Sequence, residues 1–255
     1  KAMKIFAISD LHLAGAVDKP MDVFGPRWSD HVARIEMNWK EVVGEDDTVL
    51  IGGDISWAST LDEAEGDLRW IHELPGVKIL LRGNHDYWWS TIRKIEDFCQ
   101  DHDFSTLDFL RNDAQSLAGF HLCGTRGWLL ESDDNFSKAD EKILRREAIR
   151  LGLSLHALRK LQKQEGKKPL IALTHYPPID EKGRGSVISD LLEEAGVDLC
   201  LFGHIHHHAP FYDSRPLLNG VRYIMVASDQ INFTPQLIGE DGHFASAVKG
   251  KVEHG

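Results

Sequence analysis

Five short apolar runs in this sequence each end in side chains able to hold a metal ion. Lys4 to Ser9 runs into Asp10-Leu11-His12, and Thr48 to Gly52 into Gly53-Asp54. Val77 to Leu81 leads to Arg82-Gly83-Asn84-His85-Asp86. Pro169 to Leu173 leads to Thr174-His175, and Asp198 to Phe202 to Gly203-His204-Ile205-His206. If the runs are strands of an α/β sheet, their carboxyl ends lie on the edge where ligands bind. The groups then converge although they are spread from position 10 to position 206. Residues i and i+2 at a strand end point to one face, which aims Asp10 with His12 and His204 with His206.

The residue types select a chemistry. Imidazole with carboxylate suits borderline cations such as Mn, Fe, Zn or Ni, whereas an all-oxygen cage suits Mg or Ca. Asp10, His12, Asp54, Asn84, His175, His204 and His206 are too many ligands for one catalytic ion and suit two. A shared carboxylate would hold the ions roughly 3.5–4 Å apart, with a bridging hydroxide at neutral pH. Two divalent ions, two carboxylates and one hydroxide leave about one net positive charge, a focus for a phosphate ester. Both ions could then stabilise an in-line displacement at phosphorus.

The elements that must carry these residues follow a β-α-β-α-β-α order at the start of the chain, which argues for parallel pairing. Ser29 is an expected N-cap for a helix with a Val32, Ile35, Trp39, Val42 stripe, closed by Gly44. Thr60-Leu-Asp-Glu63 reads as a capping box for a second helix, and Pro75-Gly76 stops it. A third helix is expected from Ser90 to about Asp103. The middle turns to short strands, Leu107 to Leu110, Ala114 to Ala118 and Phe120 to Gly124, the last two a hairpin across Gly119. A long helix from about Lys138 to Gln164 comes next, with Gly152 as a point of weakness. Another helix is capped by Ser186, and Asn219-Gly220 is a hairpin turn before Val221 to Ala227. The polar tail beyond carries no pattern. The early connection Leu13 to Trp28 is long enough to be a functional flap, with Phe24 to Trp28 able to close as a lid.

Composition bounds the rest. The 255 residues, 42% hydrophobic, suffice for one large domain over 1–255 with a sizeable core. A net charge of -11 argues against general affinity for nucleic-acid backbones or anionic membranes. No apolar stretch approaches the ~18 residues of a membrane span, and no charged-then-apolar leader is expected. Cys99, Cys123 and Cys200 form no C-x-x-C pair and read as reduced buried thiols, so a cytoplasmic location is the expectation.

The order Asp-x-His, Gly-Asp, Gly-Asn-His-Asp, His, Gly-His-x-His resembles the calcineurin-like metallophosphoesterase superfamily over Asp10 to His206. The resemblance implies a four-layered α/β/β/α sandwich of two mixed β-sheets flanked by helices. It implies that Asp10, His12, Asp54 and His206 bind a first divalent transition-metal ion, with Asp54 bridging to a second held by Asn84, His175 and His204. It also implies that His85 is the catalytic histidine, which contacts the phosphoryl group and protonates the leaving oxygen. Two departures stand out. Serine/threonine protein phosphatases carry Glu where this chain has Asp86, and Asp-Arg-Gly where this chain continues Ile55-Ser56-Trp57-Ala58 after Asp54. The usual carboxylate partner of the catalytic histidine and an adjacent phosphate-binding Arg are thus missing there, and the orientation of His85 has no sequence explanation.

Trp57, Arg126, Trp128, Tyr176 and Arg184 fall just after expected strand ends, as do Tyr87, Trp88 and Trp89. Aromatic faces could stack a ring and an Arg could fork onto phosphate. The function expected is therefore hydrolysis of a small, nucleotide-like phosphate mono- or diester by a metal-bridging hydroxide. A nuclease would want a basic stripe that this charge balance lacks. A non-enzymatic scaffold on the same fold would be expected to have lost ligands that this chain retains.

Overall fold

The computed structural model describes residues 2–249; Lys1 and the end of the expected domain, 250–255, lie outside the described part. Alternating residues of the central strands face opposite cores, and this explains why their sequences are continuously apolar. In β1 (Lys4–Ile8), Phe6 and Ile8 face one apolar cluster while Ile5 and Ala7 face another. In β2 (Thr48–Ile51) the same division sets Val49 and Ile51 against Leu50. β3 (Val77–Leu80) and β4 (Leu107–Phe109) extend this sheet in parallel.

A second sheet starts with the hairpin β5 (Gln115–Leu117) and β6 (Phe120–Thr125), turning on Ala118 and Gly119, both at positive φ. β7 (Leu170–Thr174) and β8 (Leu199–Phe202) lie parallel to β6. β9 (Leu217–Leu218) and β10 (Val221–Met225) form the hairpin expected at Asn219-Gly220. The strand order here is β5-β6-β7-β8-β10-β9.

Helices α1 (His31–Val42), α2 (Glu65–Glu73) and α3 (Ile92–Asp101) bury Ile35, Trp39, Leu68, Ile71 and Ile95 against the outer face of the first sheet. α4 (Lys138–Glu165) and α5 (Val187–Glu194) cover the second sheet with Leu144, Leu151, Leu155, Ile188 and Leu192. Between the sheets lies a third cluster, with Leu50, Ile79, Leu122, Ile171, Leu201 and Ile224. The fold is thus helices, sheet, sheet, helices, in four layers. Among the described residues no helix is long and apolar enough to cross a membrane. The three cysteines are buried free thiols.

Four local expectations change. The polar tail contains β11 (Gln236–Glu240), which pairs antiparallel with β1 inside the first sheet, and β12 (His243–Phe244) beyond it. Gly239 sits there because a Cβ would run into the Phe120 ring. The N-cap of α1 is Asp30 in the left-handed region, because Ser29 closes the 3-10 turn Pro26–Trp28 that buries Trp28. The Glu63 amide does donate to the Thr60 hydroxyl, but the Glu63 carboxylate takes the Ser59 amide, one residue before the expected N-cap, and α2 becomes regular only from Glu65. Helix α4 passes through Gly152 unbroken. One further device has no sequence signature: fully buried Lys78 donates from Nζ to the carbonyls of His72 (3.0 Å), Leu74 and Gly76 (2.7 Å), closing the exit of α2.

Candidate metal centre

The parallel strands of both sheets end on one edge of the sandwich. Asp10 and His12 come after β1, Asp54 after β2, Asn84 and His85 after β3, His175 after β7, and His204 and His206 after β8. Backbone bonds pin the two sheets together at this edge. The Ser9 amide donates to Val226 (2.8 Å), the Ser228 amide to Ser9 (2.9 Å), and the Ser228 hydroxyl to the Asp10 carbonyl (2.7 Å). Asp10 and His12 in turn donate their amides to Gly53 (2.9 Å) and Asp54 (3.0 Å).

The convergence does not come from simple strand alternation. Asp10 (φ 60°), His12 (45°), Asp54 (49°) and His204 (72°) all stand in the left-handed region, beyond the last extended residue. Such strain in non-glycine residues is held only where surrounding contacts over-determine it. As a result His204 and His206 do not aim together. His206 joins Asp10 and His12 in one group, and His204 joins Asp54 and His175 in another. Gly83 and Gly203 are required by crowding: a Cβ on Gly83 would collide with the Asp54 backbone, and one on Gly203 with Asp10 and Ser9.

In the first group His12 Nε2 lies 3.9 Å from Asp10 Oδ1 and 3.4 Å from His206 Nε2, which is itself 3.5 Å from Asp10 Oδ1. In the second, His175 Nε2 lies 3.4 Å from Asp54 Oδ1 and 2.7 Å from Asn84 Oδ1. Asp54 touches both groups, its Oδ2 being 3.8 Å from His12 Nε2. His85 Nε2 stands 4.0 Å from Asp54 Oδ2 at the mouth, with its side chain 35% exposed. The His85 amide donates to Asp54 Oδ1 at 2.8 Å. His175 Nδ1 bonds the Gly52 carbonyl (3.0 Å), which fixes the tautomer and turns Nε2 inward.

The electrostatics are those of buried carboxylates set among imidazoles. Burial works to raise the pKa of Asp10, but His206 and the charge of His175 bring it to about 2. Asp54 is likewise held below the ordinary carboxylate range against burial, chiefly by His175. Against burial, the charge and hydrogen bond of Asp54 raise His175 to about 9, while bonds to Asp10 and Asp229 raise His206 to about 10. Burial pushes His12 down to about 4 and His204 to about 3, the latter aided by the charge on His175. Protons on His175 and His206 thus face three buried carboxylates, Asp10, Asp54 and Asp229, the last also paired with Arg27. Divalent cations at the same places would displace those protons and meet a donor set of imidazole, carboxylate and amide that suits them.

One consequence is measurable. Metal loading at pH 7 should release about two protons per chain, read as a buffer-dependent heat in titration calorimetry. For chelator-treated protein the signs come from the directions. His175 and His206, raised from 6.5, contribute stability that is full below pH 6.5 and fades as pH climbs through about 9 to 10. His12 and His204, lowered from 6.5, cost stability as pH falls from 6.5 towards about 4 and 3. The melting temperature of the stripped chain should therefore peak near pH 6.5; a monotonic rise to pH 10 would contradict this charge arrangement.

A family profile described as calcineurin-like phosphoesterase matches residues 3–208. This chain belongs to that family. Its members depend on divalent metal ions, and the two His/Asp groups are candidate positions for them here. The Gene 66 proteins of Mycobacterium phages L5 and D29 are 41% identical over 78 residues and 40% identical over 83. Those matches cover 31% and 32% of this chain and 37% and 40% of the phage proteins. The chain therefore matches less than half the length of these curated relatives. Among solved structures, the TT1561 protein of Thermus thermophilus superposes with a TM-score of 0.54 at 13% identity, over 89% of this chain and 90% of that one. A phosphopantetheinyl hydrolase from Mycobacterium tuberculosis gives 0.50 at 15% identity, over 90% and 91%. Both likenesses concern the fold.

Two open clefts flank the calcineurin-like centre. One, of about 550 Å³, is lined by Met21, Phe24, Trp28 and Trp57 together with His12, Asp54, His85 and His206. The other, of about 500 Å³, is lined by Trp128, Tyr176, Asp133, Asp180, Arg184 and His204. Trp57 stacks on His12 with ring centroids 5.1 Å apart and lies 4.5 Å from the His85 ring. Tyr176 packs 4.1 Å from His204, and Trp128 lies 5.1 Å from Tyr176. Arg184 reaches the second cleft but is paired with Asp180 at 2.6 Å. Arg126 lines neither cleft: its Nη2 is drawn 3.1 Å from buried Glu147, and it stacks on Trp128. Tyr87 is exposed, while Trp88 and Trp89 belong to the core. The early connection is a packed wall. Trp28 is buried against His12, His31 and His206, and Arg27 bonds Asp229 (3.0 Å) and the His206 carbonyl. Phe24 stays exposed on the cleft.

Two carboxylates have roles that the motifs alone do not reveal. Asp229 lies 2.9 Å from His206 Nδ1 and orients that ring. A signal for it exists, since Val221 to Ala227 is a further apolar run whose end delivers Ser228-Asp229. Asp86, in sequence only a departure from Glu, accepts the amides of Gly83 (2.7 Å), Ile55 (2.8 Å) and Ser56 (3.2 Å) and the Trp88 indole N–H (3.0 Å). It ties the turn carrying Asp54 to the turn carrying Asn84 and His85. His85 Nδ1 has no partner among the described residues, so its ring is oriented by packing against Trp57 and His12 in place of a carboxylate.

Proposed function

We propose that this chain is a metal-dependent phosphohydrolase acting on a small phosphate mono- or diester, with two divalent transition-metal ions held by Asp10, His12, Asp54 and His206 and by Asp54, Asn84, His175 and His204. The observation that carries this reading is the contact of one carboxylate, Asp54, with both histidine groups, 3.8 Å from His12 and 3.4 Å from His175. When bound, the ions would supply Lewis acidity at the phosphoryl oxygens and activate water for attack at phosphorus.

The chain's own groups do the rest. Asp10 and Asp54 remain ionised at neutral pH and keep an anionic floor beneath the cations. Asp229 holds His206, and the Gly52 carbonyl holds His175, so neither ring has to reorganise. His85 Nε2 faces the cleft from its mouth and is the group positioned to hand a proton to the departing alkoxide. Burial lowers its pKa against the pull of Asp54. The aromatic wall of Trp57, Trp28 and Phe24 favours a leaving group with a flat ring, a nucleoside or similar. The net charge of -11 weighs against a nucleic-acid substrate.

The test is hydrolysis of bis(p-nitrophenyl) phosphate by the full chain loaded with Mn. His85→Ala should lower kcat by roughly 10²- to 10³-fold with metal content unchanged by elemental analysis. Full activity in that variant would remove His85 from the mechanism. If no turnover occurs with Mn, Fe, Zn, Ni or Co and no metal is retained, the scaffold reading replaces this one.

A further inference from the structure

None of the seven clustered Asp, Asn and His residues lines a separate cavity of about 70 Å³. Four arginines do: Arg82, Arg111, Arg126 and Arg150. The facing carboxylate is Glu147, 1% exposed, and its oxygens are already engaged. It takes Arg126 Nη2 at 3.1 Å, Arg150 Nη1 at 2.5 Å and the Thr125 hydroxyl at 2.7 Å. Arg82 receives none of this. Its side chain makes no hydrogen bond or ion pair among the described residues, and its Nε, like that of Arg126, is a buried N–H without an acceptor. Asp86 also acts on Arg82, but its carboxylate is committed to four N–H donors.

Buried cationic donors left unpaired are costly, and they are found where something else pairs them. Leu81, Trp89 and Leu110 form apolar walls that strengthen any charge pairing inside. A water needs roughly 10–15 Å³ of such space, so the cavity has room for a tetrahedral oxyanion. Guanidinium forks match the oxygens of phosphate or sulfate two at a time. The surplus of positive charge also stands out in a chain of net charge -11.

We propose that the cavity bounded by Arg82, Arg126, Arg150 and Arg111 is a binding site for a phosphate-sized dianion, separate from the metal centre. Arg82 and Arg126 form its floor through their unpaired Nε–H groups, and exposed Arg111 and half-exposed Arg150 form its entrance. This site does not depend on the hydrolytic reading, since it needs no metal and no turnover.

The experiment is titration of sodium sulfate into the Mn-loaded full chain at constant ionic strength, followed by calorimetry. Wild type should bind sulfate, and Arg82→Met should weaken that binding roughly 10-fold or more, the loss of a charge-assisted pair. Arg150→Ala, a change at the entrance, should weaken it several-fold. In both variants metal content should match wild type, which separates this site from anion binding at the metals. Tighter binding of glycerol phosphate than of sulfate would assign the site to a tethered phosphoryl group, and equal binding to the free ion; either supports it. Sulfate affinity unchanged in both variants, or no saturable binding by wild type, would overturn it.

Discussion

Asp54→Asn should lose phosphodiester hydrolysis by about 10⁴-fold or more in kcat/KM and retain at most one metal ion per chain. Its carboxylate reaches imidazole nitrogens of both histidine groups: Oδ2 approaches His12 at 3.8 Å, while Oδ1 approaches His175 at 3.4 Å and accepts the His85 amide at 2.8 Å. An amide of the same shape keeps one acceptor and turns the other into a donor that faces imidazole nitrogens. It also removes the charge that, with the hydrogen bond to Asp54, keeps His175 protonated in the stripped chain, so the release of protons on metal loading should shrink. Because the side chain is 2% exposed and isosteric, the fold should survive the change. Elemental analysis and a rate assay on one preparation decide it. A variant that holds two ions and keeps a tenth of wild-type turnover would end the case for a bridging carboxylate.

The largest stability effect is expected at Asp86. Truncation to Ala would leave three amides and one indole N–H, all buried, without their acceptor. An unsatisfied buried donor costs about 1–3 kcal/mol, and partial rescue by water brings the sum to roughly 4 kcal/mol. Denaturant unfolding of wild type and variant measures this directly. Asp86→Asn should fall between them, since its amide would oppose at least one of the same N–H groups. Activity should drop in both variants even where they remain folded, because Asp86 sets the spacing between Asp54 and the Asn84-His85 turn. A loss below about 1 kcal/mol in Asp86→Ala would show that solvent replaces the carboxylate without cost.

Much of this was legible along the chain because strands buried on both faces must be continuously apolar, and the residues just past such a run emerge at the sheet edge. That rule alone located Asp10, Asp54, Asn84, His175 and His204, and applied once more at Ala227 it would have reached Asp229. The cap at Ser186 and the turns at Gly119 and Asn219 are equally local, as the structure bears out. Tertiary structure decided the rest. The division of His204 and His206 between two groups depends on a left-handed backbone at His204, fixed by its amide bonds to Asp10 across the sandwich. Arg126 faces away from the clefts because Glu147, 21 residues on, captures it. The strand at Gln236–Glu240 exists because β1 offered an unpaired edge, which no periodicity in Gln-Leu-Ile-Gly-Glu announces. Sequence by itself determined which residues are carried to the edge, since burial of a strand is written into its own side chains. Their pairing was left to the tertiary structure, because a hydrogen bond or charge partner is chosen by proximity between segments that no local pattern records.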